Sequence, residues 1–331
     1  MKKWMILLVL YFLYACQSST PPVALSAYYW KTHYKLTTVE QSFLQEKEIH
    51  KLYIRYCDVG LKNNEPVPIA PIEWREITTL PKEIVPVIYI KNEVFLKPHV
   101  DIKDLVQKLK IYVQQINAKA GVQTQHVQFD CDWSLQSKEQ FFEFLTEFKK
   151  DTQWYLSATI RLHQVKYFKK TGVPPVDHGV LMYYNMGTIA PVDENSIYDR
   201  SIAQKYVARL SDYPLHLDVA LPIFSWGVQI RDHKVVTVIG GMREQDIRQD
   251  TVFKKIQDFT YEITEEYVYK GRLLQKGDRI KIEEVSAKDL QQATKDLSTY
   301  IKPREVILYD LDEKNIKYYE QEVFKTIRHG Y

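Results

Sequence analysis

Eight short runs of apolar or alternating residues recur along this chain, and segments of helical periodicity separate most of them. The runs are Ala24–Trp30, Leu52–Val59, Ile84–Ile90, His126–Trp133, Tyr155–His163, Gly179–Asn185, His216–Phe224 and Glu305–Leu311. Strands that alternate with helices pair in parallel, because a crossover helix returns the chain to the same sheet edge. The fold class is therefore α/β, and eight such strands are the number that closes a (β/α)8 TIM barrel. Between the runs, 102–118 places Leu105, Val106, Leu109, Val113 and Ile116 at helical spacing. Segment 138–149 does the same with Phe141, Phe142, Phe144, Leu145 and Phe148. Ser137 with Gln140 three residues on predicts a capping box there. Residues 232–301 are long for one strand-to-strand connection. They predict a small α+β insertion between strands seven and eight, with a hairpin near Arg231–Ile239, a helix over 251–264, a strand over 278–284 and a helix over 286–300. Val173-Pro174-Pro175 and the segment from Pro66 to Pro71 read as loops.

The beginning of the chain reads differently. Lys2 and Lys3 precede an unbroken apolar run from Trp4 to Tyr14, too short to span a bilayer comfortably. Leu13-Tyr14-Ala15-Cys16 and the polar stretch Gln17–Pro22 follow. This pattern resembles a bacterial lipoprotein signal, which implies a leader over 1–16, lipidation at Cys16, a short tether over 17–22 and a barrel domain over 23–331. A lipid at Cys16 anchors a domain to a membrane without threading it through. The expected location is the cell envelope, facing the periplasm or on the outer membrane. Lysine and arginine number 45 against 42 acidic residues, and two of the lysines lie in the leader, so the remainder is close to neutral. No basic tract points to nucleic acid. Cys57 and Cys131 each lie in an apolar run, which predicts buried free thiols rather than a disulfide.

Polar residues at strand ends mark the candidate site. In His126-Val127-Gln128-Phe129-Asp130-Cys131-Asp132-Trp133-Ser134, the residues Gln128, Asp130 and Asp132 fall at every second position, on one strand face. Two such carboxylates repel and lose solvation unless partners or a task hold them. In the next run Ser157, Thr159, Arg161 and His163 share a face. Arg161 beside Asp130 or Asp132 would offset the repulsion and lower at least one of the two pKa values. His163 is placed to act as acid, base or hydrogen-bond donor. The catalytic candidates are thus Asp130, Asp132 and His163. Arg161, Tyr184, Asn185, Trp226 and Tyr309 are the substrate-binding candidates, a ring of amide, cation and aromatics that suits the hydroxyls and C–H faces of a carbohydrate. Arg55, Asp58, Tyr28 and Trp30 are weaker candidates, since their facing is ambiguous. Each of these has a plain alternative as part of a satisfied polar interior. The histidines lack HxH or HxxxH spacing, so no metal and no cofactor are expected.

These motifs, in this order, resemble the family 18 glycoside hydrolases, the chitinase-like barrels. That family's fourth strand typically reads DxxDxDxE, and the matching positions here are Val127, Asp130, Asp132 and Ser134. Its sixth strand often reads Met-x-Tyr-Asp, here Met182-Tyr183-Tyr184-Asn185. Looser echoes are Ala220-Leu221-Pro222-Ile223-Phe224 and Tyr309-Asp310-Leu311-Asp312. The chain is also similar to bacterial barrel lipoproteins with an Asp-x-Asp in strand four. The resemblance implies a site at Asp130 and Asp132 and a glycan as ligand. It also implies a difficulty. The family's general acid is the final Glu, with the substrate acetamido group as nucleophile, and Ser134 stands in that place. A hydroxyl does not serve as a carboxylic acid near neutral pH. Three readings stay open at this point: a hydrolase whose acid is Asp130, Asp132, His163 or a loop residue, a non-catalytic glycan-binding barrel, and a structural or assembly lipoprotein.

Overall fold

A computed structural model describes residues 22–75, 79–98, 100–150 and 153–331. The expected leader, Cys16 and the tether up to residue 21 lie outside the described residues. Seven barrel strands come first: β1 (Ala24–Tyr29), β2 (Lys51–Lys62), β3 (Glu83–Ile90), β4 (His126–Asp130), β5 (Tyr155–Arg161), β6 (His178–Met182) and β7 (Leu217–Pro222). Five strands of an inserted sheet follow: β8 (Ser225–Arg231), β9 (Lys234–Gly240), β10 (Phe253–Gln257), β11 (Thr260–Ile263) and β12 (Arg279–Glu284). The last barrel strand is β13 (Glu305–Tyr309). Each barrel strand pairs in parallel with its neighbour. β1 pairs with both β2 and β13, which closes the ring. The fold is a (β/α)8 barrel.

Helices cover the outside because their apolar faces match the outward residues of the strands. The main ones are α1 (Thr38–Glu46), α2 (Ile102–Ala120), α3 (Lys138–Lys149), α4 (Leu162–Lys166), α5 (Arg200–Val207), α6 (Ala287–Ser298) and α7 (Gln321–His329). The Asp101 carboxylate accepts the Asp104 amide at the start of α2, and Gly121, at φ 65°, ends the helix in the left-handed region that favours glycine. α3 buries Phe141, Phe144, Leu145 and Phe148. Phe129 of β4 points out between Phe144 and Phe148, with ring centroids 5.0 and 4.7 Å away. Each buried ring of this kind contributes about 1.5–3 kcal/mol. Its neighbours Gln128 and Asp130 therefore point into the barrel, as period-2 alternation requires. The capping box expected at Ser137 does not form. The Ser137 hydroxyl instead accepts the Ser134 amide at 2.9 Å and donates to Asn92 at 2.5 Å. Cys57 and Cys131 are buried free thiols.

The insertion differs in extent and content from the sequence expectation. Its antiparallel sheet, in the order β9-β8-β12-β11-β10, occupies 225–284 rather than 232–301. Segment 251–264 is no helix. It folds as β10 and β11, because Phe253, Tyr261 and Ile263 alternate onto a small separate core and Phe259, at φ 57°, turns the chain between them. Helix α6 belongs to the barrel's outer layer, packed against α5 and α7. No helix of the described residues is long and apolar enough to cross a membrane.

Side chains fill the barrel interior in polar layers. Near the N-terminal ends of the strands, Tyr53 donates to Glu305, the His126 ring meets the Ser157 hydroxyl at 2.7 Å, and His178 faces Asp218. Burial pushes the His126 ring down to about 2 and the His178 ring down to about 4. In the middle, Tyr28 donates to Gln128 at 2.6 Å. At the C-terminal ends lies Asp130.

Candidate functional site

A cavity of about 240 Å³ opens at the C-terminal mouth of the barrel. Its polar residues include Asp58, Asp130, Asp132, Arg161 and Asn185, and its aromatic walls are Tyr28, Trp30, Tyr89, Tyr184 and Tyr309. A larger cavity, of about 1300 Å³, opens at the opposite mouth. The smaller one is the candidate site, since reacting groups in such barrels gather where the strands end and the βα loops begin.

Asp130 is the last residue of β4 and only 9% exposed. Its Oδ1 accepts the Thr159 hydroxyl at 2.6 Å. Burial pushes its carboxyl up to about 6; the Asp132 charge adds to this, while the Thr159 hydrogen bond and the Arg161 charge oppose it. Arg161 thus fails to bring this carboxyl below its ordinary value, because loss of water outweighs the cation. Asp132 lies two residues on, beyond the strand end, and Arg161 ends β5. The guanidinium spans both carboxylate oxygens of Asp132, with Nη2 donating to Oδ2 at 2.5 Å and Nε 2.5 Å from Oδ1 as an ion pair outside hydrogen-bond alignment. The two side chains are about one-third exposed, so their pairing contributes little to stability.

The aromatic walls are mutually packed. Tyr184 stacks on Tyr309 at 5.0 Å, and Trp30 meets Tyr309 edge-on at 5.6 Å and Tyr28 at 5.9 Å. Asn185, exposed and at φ 53°, follows β6 in the left-handed region that Asn tolerates better than most residues. Asp58 lines the far side and pairs with Arg55 at 2.8 Å. Arg55 also donates to the Ala70 carbonyl, so its cation is committed there. Ala70 lies just past Glu65–Ile69, which pairs antiparallel with β2 instead of forming the expected loop.

Two of the main candidates, His163 and Trp226, lie off the cavity, as does Ser134. β5 ends at Arg161, so His163 falls in the first turn of α4, exposed rather than at the strand tip. Partial burial of its ring lowers its pKa, Arg161 adds to the effect, and Asp132 opposes it. Trp226 is the second residue of β8 and donates its indole N–H to Glu283 at 2.8 Å, where the inserted sheet joins the barrel. Ser134 has its amide on Ser137 and its hydroxyl on the Gln136 amide and the Ser137 hydroxyl, both at 3.3 Å. Its side chain shapes the turn into α3. Sequence reasoning missed Tyr89. The register Tyr89↔Asp130 places it beside the carboxyl, and the alternation Val85, Val87, Tyr89 along β3 held the signal. Burial, then Asp132 and Asp130, push its hydroxyl up to about 12. Asp310 is a second carboxyl that burial pushes up to about 6, but it accepts Asn315 Nδ2 at 2.7 Å and does not line the cavity.

No protein-family model matches the sequence, and no curated protein matches it. Solved structures do match, along nearly the whole chain. The spore cortex-lytic enzyme SleL of Bacillus cereus is similar over 94% of this chain and 75% of its own, at 11% identity and a TM-score of 0.56. The fold is that of the chitinase-like, family 18-like barrels. A class V chitinase from Nicotiana tobaccum is similar over 93% of this chain and 98% of its own, at 9% identity and a TM-score of 0.54. The chitinase-like agglutinin RobpsCRA from Robinia pseudoacacia is similar over 92% and 98%, at 11% identity and a TM-score of 0.52. A lytic enzyme and an agglutinin share this architecture, so the fold alone does not choose between chemistry and binding.

Proposed function

We propose that this protein is a glycan-binding lipoprotein of the bacterial cell envelope, with its sugar site at the C-terminal mouth of the barrel. One observation carries the choice of binding over hydrolysis. The position of the family's general acid is Ser134, whose hydroxyl is spent in the turn before α3, and both oxygens of Asp132 are held by Arg161. What is left suits recognition. Asp130, Asn185 and Arg161 offer donors and acceptors, and Trp30, Tyr184 and Tyr309 offer faces for sugar C–H groups. At about 240 Å³ the cavity falls below the roughly 300–1,000 Å³ usual for ligand pockets. It holds one sugar unit, and a longer chain lies across the rim.

The solved neighbours guide the choice of probe: the Nicotiana chitinase mutant was crystallised with NAG4 and a Cycas revoluta chitinase mutant with (GlcNAc)3. The test is calorimetry with N-acetylglucosamine oligomers and peptidoglycan fragments, with mass spectrometry of the same mixtures. Saturable binding without new products is the expected result. A second reading rests on Asp130, whose carboxyl near 6 falls in the range of a general acid. Turnover that disappears in Asp130→Asn while binding persists establishes that hydrolase instead. Neither binding nor turnover across the panel discards both and leaves the structural reading.

The anchor is part of the proposal. Lys2, Lys3, the apolar run to Tyr14 and the Cys16 box support lipidation at Cys16 and a membrane-attached domain in the envelope. Metabolic labelling with an alkyne fatty acid should mark the wild type and spare Cys16→Ala. Equal labelling of the two rules the anchor site out.

A further inference from the structure

At the N-terminal mouth, the first residue of β6, the second of β7 and the first of β13 bring three side chains together inside the barrel. We propose that His178, Asp218 and Glu305 hold a zinc-class divalent cation there. Among the described residues these are the one group of three whose ligand atoms all lie within 4.8 Å of one another, and all three are buried.

The geometry matches the ion. Zinc binds imidazole nitrogen and carboxylate oxygen at about 2.0–2.2 Å, so two ligands on a tetrahedral site are about 3.4 Å apart. His178 Nε2 is 3.4 Å from Asp218 Oδ2. That distance is too long for a good hydrogen bond, and His178, 3% exposed, has no hydrogen-bond partner for either ring nitrogen among the described residues. A buried polar atom left so costs about 1–3 kcal/mol, and a cation between the two residues removes the deficit at Nε2. The ring is already oriented: Tyr155 stacks on it at 5.1 Å and His126 leans on it at 5.2 Å.

The carboxylates are arranged to leave ligand atoms over. Asp218 Oδ1 accepts the backbone amides of Arg304 and Glu305 and faces His216, whereas Oδ2 faces His178. Glu305 Oε1 takes the Tyr53 hydroxyl and Lys51. Lys51 is shared with Glu83, so one ammonium does not balance Asp218 and Glu305 together. A dication does. All three ligands line the cavity of about 1300 Å³, which gives the ion an entry path and leaves a fourth coordination position toward the opening. A nitrogen-and-oxygen donor set without thiolate suits zinc and its first-row neighbours.

The test uses the full-length protein in detergent, stripped with chelator and titrated with Co²⁺, then competed with Zn²⁺. One equivalent of four-coordinate cobalt absorption, displaced by zinc, is expected. His178→Gln should weaken binding by more than the roughly 10–100-fold that loss of an outer partner costs, while circular dichroism stays that of the wild type. If His178→Gln does not fold, Glu305→Gln serves with the same expectation. His216→Gln, on the other oxygen of Asp218, removes such an outer partner and should cost no more than about 10–100-fold. Absence of the cobalt spectrum, equal affinity in folded His178→Gln, or binding of Ca²⁺ and Mg²⁺ alone overturns the proposal.

Discussion

The two mouths of this barrel carry similar residue types in opposite settings. At the N-terminal mouth the charged groups sit on the strands themselves: Asp218, Glu305 and His178 are each at most 6% exposed, and protein donors hold the carboxylates. At the C-terminal mouth Asp132 has left the strand, is about one-third exposed, and is met by an equally exposed Arg161. Aromatic rings wall that second mouth, whereas the first is lined largely by polar side chains. Polarity inside a barrel is therefore no mark of a glycan site. Polar groups within reach of solvent and beside open aromatic faces are a better one, because a ligand can replace the water there without unmaking the fold.

The largest effect expected from this contrast is on stability. Asp218→Ala leaves the part-buried amide of Arg304 and the buried amide of Glu305 without their acceptor. Two such donors cost about 2–5 kcal/mol together. Arg161→Ala, at the other mouth, should cost about 1 kcal/mol or less, since its pair is partly solvated. Urea denaturation of the two variants checks the order, and equal losses would mean that the mouths do not differ as described.

The next effect is a pH dependence at the C-terminal mouth. Asp130 has a folded value near 6 against an ordinary 3.8. Between these values the folded chain holds a proton that the unfolded chain has released. Stability from this group is therefore full below about pH 4 and is lost as pH rises through 6, by about 3 kcal/mol. Asp310, also raised to about 6, acts in the same direction. The N-terminal mouth acts oppositely: His178 and His126 are held below their ordinary value, so their contribution is lost as pH falls below about 6.5. Only a difference isolates Asp130. Wild type minus Asp130→Asn should fall by roughly 2–2.5 kcal/mol between pH 4 and pH 7, and a flat difference refutes the buried proton.

Much of the barrel was legible because its signal is local. Period-2 alternation in 126–133 fixed which side chains point inward, and Asp130 and Asp132 did meet Thr159 and Arg161 of the next strand. The inserted sheet was less legible. Segment 251–264 spaces its apolar residues in a way that fits a helix or a hairpin, and the turn at Phe259 decided between them. His163 and Trp226 were misplaced for a common reason. Alternation does not announce where a strand stops, and β5 and β7 each stop two residues before the end of the predicted run, at Arg161 and Pro222. The group His178, Asp218 and Glu305 was invisible to spacing rules, since its members lie far apart in the chain and only the pairing of β7 with both β6 and β13 joins them.

Ligand affinity gives the smaller and sharper tests of the contrast. Arg161→Ala should weaken an N-acetylglucosamine oligomer by about 10–100-fold, the range expected when a charged hydrogen-bonding partner worth about 1.5–3 kcal/mol is lost. Trp30→Ala should do less. Its ring contacts Tyr28 and Tyr309 only edge-on, which leaves a face for the ligand. An aromatic contact of this kind is worth about 0.5–1.5 kcal/mol, or roughly 2–12-fold in affinity. Trp30→Phe keeps a face and should recover most of the loss, which separates stacking from a general loosening of the mouth. Tyr155→Ala removes an aromatic ring from the other mouth and should leave glycan affinity within about twofold, under 0.5 kcal/mol. If Tyr155→Ala weakens the glycan as much as Trp30→Ala does, the sugar does not distinguish the mouths, and the aromatic walls at the C-terminal end are packing rather than a binding face.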